Sequence, residues 1–174
     1  QRLIVQRQNS SVARQLRRQL RRRSPATTRI HLAWTLDGLG MLAADDVKLL
    51  LADSREVVQR HGIRLSSRHP EFENSFPAQL GRFSGLENPA VTMECLAVIA
   101  NLELEERQKQ VYTDFLSGIS QPAILAPLGD HPAWLQRGIV VAATGIEGRL
   151  AEAVLGNQKS QVPAPVAGLL RQLC

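Results

Sequence analysis

The sequence predicts an all-α protein, and three observations carry that prediction. The apolar residues, 44% of the 174, are mostly Leu, Ala, Val and Ile, and only 4% are aromatic, whereas a β-sandwich draws more on Tyr, Phe and Thr. Apolar positions recur at helical spacing in one segment after another, and the segments are punctuated by Pro, Gly and Asn residues of the kind that start and stop helices. A proline-led pattern also returns at intervals of about 43 residues, the sign of stacked helical units. The length fits one domain, residues 1–174, with a real core.

In the opening segment, SVARQLRRQLRRR (11–23), Val12, Leu16 and Leu20 recur every fourth residue; Asn9, Ser10 or Ser11 can cap the helix and Ser24-Pro25 stops it. Pro25 suits the start of a second helix carrying Ile30, Leu32, Ala33, Trp34 and Leu36 and ending at Gly38 and Gly40. Asp45 and Asp46 open a third segment, where acids complement the helix dipole. Its Val47, Leu50, Leu51, Val57 and Val58 keep helical spacing as far as Gly62, with a break at Asp53-Ser54. The polar, proline-containing run IRLSSRHPEFENS (63–75) reads as a loop.

A short piece follows at 76–83, then NPAVTMECLAVIANL (88–102), with Asn88 as cap and Pro89 in the first turn, an exposed helix at 104–118 and a second short piece at 121–130. The chain closes with helices at 131–146, 147–156 and 164–174, the last preceded by a linker. The stretch 138–143 has some strand character, but its helical neighbours favour a buried small-residue helix.

Laying FPAQLGRFSGLENPAVTMECLAVIANL over QPAILAPLGDHPAWLQRGIVVAATGI gives the same order twice: a Pro-Ala short helix, a turn with Asn-Pro or His-Pro, and a longer apolar helix. Pro77 and Pro122 are 45 residues apart, Pro89 and Pro132 are 43 apart, and Pro165 follows Pro122 by 43. On these motifs the chain resembles the armadillo-repeat family, with HEAT repeats close to it. NPAVTMECLAVIANL resembles the third helix of an armadillo unit, and HPAWLQRGIVVAATGI and SPATTRIHLAWTLDGLG follow the same pattern.

The resemblance implies a right-handed α-solenoid of about three repeats, with units near 11–62, 76–118 and 119–156, an incomplete unit at 157–174, and the loop 63–75 outside them. A non-repeating helical bundle is the alternative. In the solenoid, SVARQLRRQLRRR takes the slot of the second helix of a first repeat. Importin-type members of the family line their groove with Trp and Asn on the third helices. Here the Trp slot reads Ala33, Ala97 and Val140 and the Asn slot reads Asp37, Asn101 and Thr144, so only Asn101 matches. The resemblance therefore implies no capture of basic localisation peptides by that array, and leaves Asp37, Asn101 and Thr144 as candidates for lining a protein-binding concave surface.

Charge is divided unevenly. Residues 1–29 hold nine arginines and no acid, and the remaining 145 carry 12 Lys and Arg against 16 Asp and Glu. With Val12, Leu16 and Leu20 turned inward, Arg14, Arg17, Arg18, Arg21 and Arg22, with Arg23 beyond them, project outward as a basic strip. The chain uses 18 Arg to 3 Lys, and arginine favours bidentate contact with phosphate or carboxylate.

Two cysteines, Cys95 and Cys174, make no disulfide framework, which predicts a reducing, intracellular setting, cytoplasmic or nuclear. The longest strongly apolar stretch, 138–146, is too short to span a bilayer, and no apolar leader opens the chain. Asn9-Ser10-Ser11 matches a glycosylation sequon, a pattern too short to outweigh the cysteine usage. A chain that begins at Gln1 reads as a processed or excised part of a longer protein.

Signs of catalysis are sparse. His69, Glu71 and Glu73 lie close together in the 63–75 segment, but no second cluster of HExxH or CxxC type accompanies them, and a solvated loop is the expectation. There is no phosphate-binding glycine loop and no Gly-x-Ser-x-Gly elbow. Cys95 sits on an apolar helix and reads as a buried small residue. The expectation is a non-enzymatic interaction scaffold, free of cofactor and metal, that engages other proteins in a larger complex away from membranes. Its alternative is nucleic-acid or anionic-surface binding through the Arg-rich helix 11–23.

Overall fold

The computed structural model describes residues 12–69, 76–83, 88–103, 105–121, 133–157 and 164–173. Among them lie nine α-helices, one 3-10 helix and no strand. The helices are α1 (Ala13–Leu20), α2 (Ala26–Gly38), α3 (Ala44–Leu51), α4 (Glu56–Ser67), α5 (Pro89–Ile99), α6 (Glu106–Ile119), α7 (Ala133–Ala142), α8 (Glu147–Gly156) and α9 (Ala164–Leu173), with the 3-10 helix at Pro77–Phe83. The cap at Asn9 to Ser11, Glu71 and Glu73, the short piece 121–130 after its first residue, His131 and Cys174 fall outside the described residues. No described helix is long and apolar enough to cross a membrane. The chain divides into two compact units, with the boundary between Gln79 and Leu80.

In the first unit, α1 packs on α2, α3 on α4, and α2 on α4. The Asp46 carboxylate accepts the Ala43 N–H at 3.1 Å and so caps the start of α3. The break at Asp53-Ser54 separates α3 from α4 as the sequence predicts. One expectation needs correction: helix α4 runs on through 63–67, five residues whose polarity assigns them to a loop. Ile63, Leu65 and Ser66 are buried there, and the Ser66 hydroxyl donates to the Ile63 carbonyl at 2.7 Å, so a serine sits on the helix with its polar group satisfied.

Helices α2 and α4 are tied at both ends and in the middle. Arg29, near the start of α2, meets Asp53, just ahead of α4, at 2.5 Å. Halfway along, the Trp34 indole N–H donates to His61 Nδ1 at 3.0 Å. At the far end, Asp37 lies 2.5 Å from His69 Nε2 and 3.7 Å from Arg68 Nε. Start meets start and end meets end, so the two helices run in the same direction. Gly40, which ends the turn after α2, holds a φ of +66°, a backbone state that glycine adopts without strain.

The approach of α4 to α3 depends on Gly62. A Cβ at that position would lie 2.9 Å from Leu50 Cβ and 3.1 Å from the Leu51 backbone nitrogen. Gly62→Ala is therefore expected to introduce about 1–3 kcal/mol of overpacking, set against roughly 1 kcal/mol gained from alanine as the better helix former. Urea unfolding should show a lowered midpoint. A midpoint at or above that of the parent would mean that α3 and α4 separate freely.

In the second unit, α5 packs on α7, α6 on α8, and α9 on both α7 and α8. The stretch 138–143 is helical through Ala142. Gly138 lets α7 come close to α5: a Cβ there would lie 2.8 Å from Leu96 Cδ1. Glu106 at the start of α6 is paired with Arg149 at the start of α8, and Asn157, just past the end of α8, donates to the Ser117 hydroxyl near the end of α6 at 3.1 Å. These helices too run in the same direction, with partners 43 and 40 residues apart. Leu96, Ile99, Leu116, Leu135, Ile139 and Leu150 fill the core between them.

Candidate functional site

The arginines of α1 divide into two groups. Ala13 and Leu20 are buried, and Arg14, Arg18, Arg21, Arg22 and Arg23 are exposed. Arg17 departs from the outward strip expected of it. Its Nε donates to Asp46 at 2.8 Å and its Nη2 donates to the Met41 carbonyl at 2.5 Å, so it pins α1 to the start of α3. The physical reason is the Asp46 carboxylate, which is buried and draws the nearest guanidinium inward. The backbone continues the helical spiral beyond Leu20, with the Arg21 N–H bonded to the Arg17 carbonyl at 3.2 Å and the Arg22 N–H to the Gln19 carbonyl at 3.1 Å. Arg14, Arg18 and Arg21, spaced four and three residues apart, consequently share one face, with Arg22 beside them.

Asp53 organises the other side of this unit. Its side chain is 3% exposed and receives Arg55 through Nε at 2.8 Å and Nη2 at 2.7 Å, Arg29 through Nη1 at 2.5 Å, and the Arg55 backbone N–H at 2.9 Å. The hydrogen bonds from Arg55 outweigh the cost of burial and hold the carboxyl at about 2, below its ordinary 3.8. Arg29 and Arg55 reach on to the backbone carbonyls of Arg22 and Ser24 at 2.9 and 2.8 Å, fastening the turn that follows α1. The exposed arginines are thus presented from a fixed base.

The three groove candidates occupy different settings. Asp37, 10% exposed, is engaged by His69 and Arg68, and the Arg68 guanidinium lies 5.5 Å from the Trp34 ring centroid. Trp34 meets His61 edge-on, with centroids 6.1 Å apart. This cluster holds the ends of α2 and α4 together. Asn101 and Thr144 are exposed, each two residues past its helix, and each bonds back to its own backbone, Asn101 to the Ala97 carbonyl at 2.6 Å and Thr144 to that of Val141 at 2.9 Å.

Those two residues end exposed rows that the motif alignment does not single out. Met93, Ala97 and Asn101 follow one another at four-residue spacing along α5 and are all exposed. Trp134, Arg137, Val141 and Thr144, spaced three, four and three residues apart from α7 into the turn after it, are likewise exposed, with Val141 58% exposed. Because α5 packs on α7 and Met93 Sδ lies near Gly138, between Trp134 and Val141, the rows belong to adjacent helices. The signal was present as the spacing 134, 141 and 93, 97, but an apolar residue on a helix is ordinarily taken for core.

Cys95 is buried, and burial first and the neighbouring Glu94 second push its thiol up, far from the thiolate state that makes a nucleophile. Among the described residues no group of three or more His, Cys, Asp and Glu is gathered as metal ligands would be. Comparison with protein-family models, with curated proteins and with solved structures finds no match for this chain.

Proposed function

We propose that the chain is a non-enzymatic interaction scaffold, an armadillo-like α-solenoid that binds another protein through its second unit. The observation that carries this reading is the pair of exposed rows on α5 and α7, where Met93, Trp134 and Val141 leave apolar surface in solvent beside Asn101 and Thr144. Aromatic and Met side chains are enriched in the cores of protein interfaces, and grouped apolar exposure marks such sites. The solenoid part draws support from the same-direction pair α6 and α8, whose contacts span 43 and 40 residues, the first equal to the 43-residue proline interval and the second near it. Such a scaffold works inside the cell, in a larger assembly, with no cofactor or metal.

Affinity capture from nuclease-treated extract tests the reading, with the full chain and an Ala97→Arg/Val141→Arg variant as baits. Both positions are exposed, so the variant should fold. A stoichiometric protein held by the parent and lost from the variant is the expected result. Equal capture by both, or no stoichiometric protein with either, overturns it.

A further inference from the structure

The described part of the first unit that holds its four helices, residues 12–69, carries a surplus of positive charge. Residues 12–69 contain 12 Lys and Arg and five Asp and Glu. Each of those five acids is matched by a base within the unit: Asp37 by Arg68 and His69, Asp45 by Lys48, Asp46 by Arg17, Asp53 by Arg29 and Arg55, and Glu56 by Arg60. The side chains of Arg14, Arg18, Arg21 and Arg22 meet no acid among the described residues and stand exposed along about two turns of α1 and the turn that continues it.

We infer that this face of α1 is a binding site for the phosphate backbone of a nucleic-acid duplex, an activity separate from the protein-binding rows of the second unit. Three features select that ligand. The exposed face from 14 to 22 consists of Arg14, Gln15, Arg18, Gln19, Arg21 and Arg22, donors throughout, with no apolar anchor among them. A protein interface needs a desolvated apolar or aromatic centre, whereas phosphate contacts need only charge and hydrogen-bond donors. Arginine forks match phosphate oxygens two at a time. No aromatic side chain lies on the face to stack on an unpaired base, which favours a duplex over a single strand and makes the contact indifferent to sequence. Arg17 is no part of the site, since Asp46 holds it inward.

Fluorescence anisotropy of the full chain with a labelled 20-base-pair duplex tests the assignment. Four phosphate contacts give a slope of about −3.6 in log affinity against log salt, so affinity should fall about 100-fold between 50 and 200 mM salt. Arg14→Gln/Arg18→Gln/Arg21→Gln/Arg22→Gln should weaken binding at least tenfold at 50 mM and flatten the slope, with helicity by circular dichroism unchanged. Lysine at the same four positions should retain the slope at reduced affinity and so guards against a fold defect in the Gln variant. Parent-like binding by the Gln variant overturns the site. Tighter binding of a single strand of equal length overturns the duplex assignment, and displacement of the duplex by poly-glutamate at equal charge concentration moves the face to an acidic protein.

Discussion

Asp53→Ala should lower the stability of the first unit by about 3–5 kcal/mol at neutral pH, because it leaves Arg29, 12% exposed, without its counter-ion and the Arg55 N–H without an acceptor. The pH dependence follows from the same contacts. A carboxyl held at about 2 in the folded chain and near 3.8 in the unfolded one contributes stability that is fully present above about pH 4 and is lost as the pH falls towards 2. That contribution is about 2 kcal/mol. Asn at this position retains the shape and one acceptor, so the difference between parent and Asp53→Asn should be about 2 kcal/mol at pH 7 and shrink steadily below pH 4. Urea unfolding followed by circular dichroism across pH 2–7 measures both. A loss under half a kcal/mol for the Ala variant, or a parent-minus-Asn difference that is flat with pH, would show that the paired arginines do not depend on this carboxylate.

The second large effect lies in the other unit. Leu96 is buried on α5 against Gly138 of α7, and Leu96→Ala should cost about 2–5 kcal/mol through lost burial and the cavity left behind. The geometry adds a sharper expectation. A methyl group at 138 would lie 2.8 Å from Leu96 Cδ1, so Gly138→Ala alone crowds the end of a flexible side chain, whereas in the Leu96→Ala background it occupies the vacated space. The double variant should therefore be more stable than the two single losses added together. Strict additivity would place the two residues out of contact.

Much of the fold is legible in the sequence because its helix boundaries are written in local chemistry. Gly38 and Gly40 close α2, Asp45 and Asp46 open α3, Asn88 and Pro89 open α5, and the 147–156 segment matches α8 at both ends. What local chemistry hides is long-range pairing. The segment 63–75 looks like a loop because Arg64, Ser66, Ser67 and Arg68 are polar, yet Ile63 and Leu65 keep α4 packed through Ser67. That misreading also conceals the setting of Asp37, whose partners Arg68 and His69 come from the same stretch, 31 and 32 residues downstream. Arg17 is concealed in the same way. Its helix pattern marks it as surface, and only the fold brings Asp46, 29 residues on, beneath it.

The three polar ties between α2 and α4 also fix how far one helix can slide along the other. A contact made only of Leu, Ala and Val tolerates a shift of one turn, about 5.4 Å, because one aliphatic side chain replaces another at similar volume. Here such a shift would part Arg29 from Asp53, Trp34 from His61 and Asp37 from His69 in a single movement. The helix pair therefore has one register, and strain applied at one end is transmitted as displacement of a rigid strut rather than absorbed as slippage.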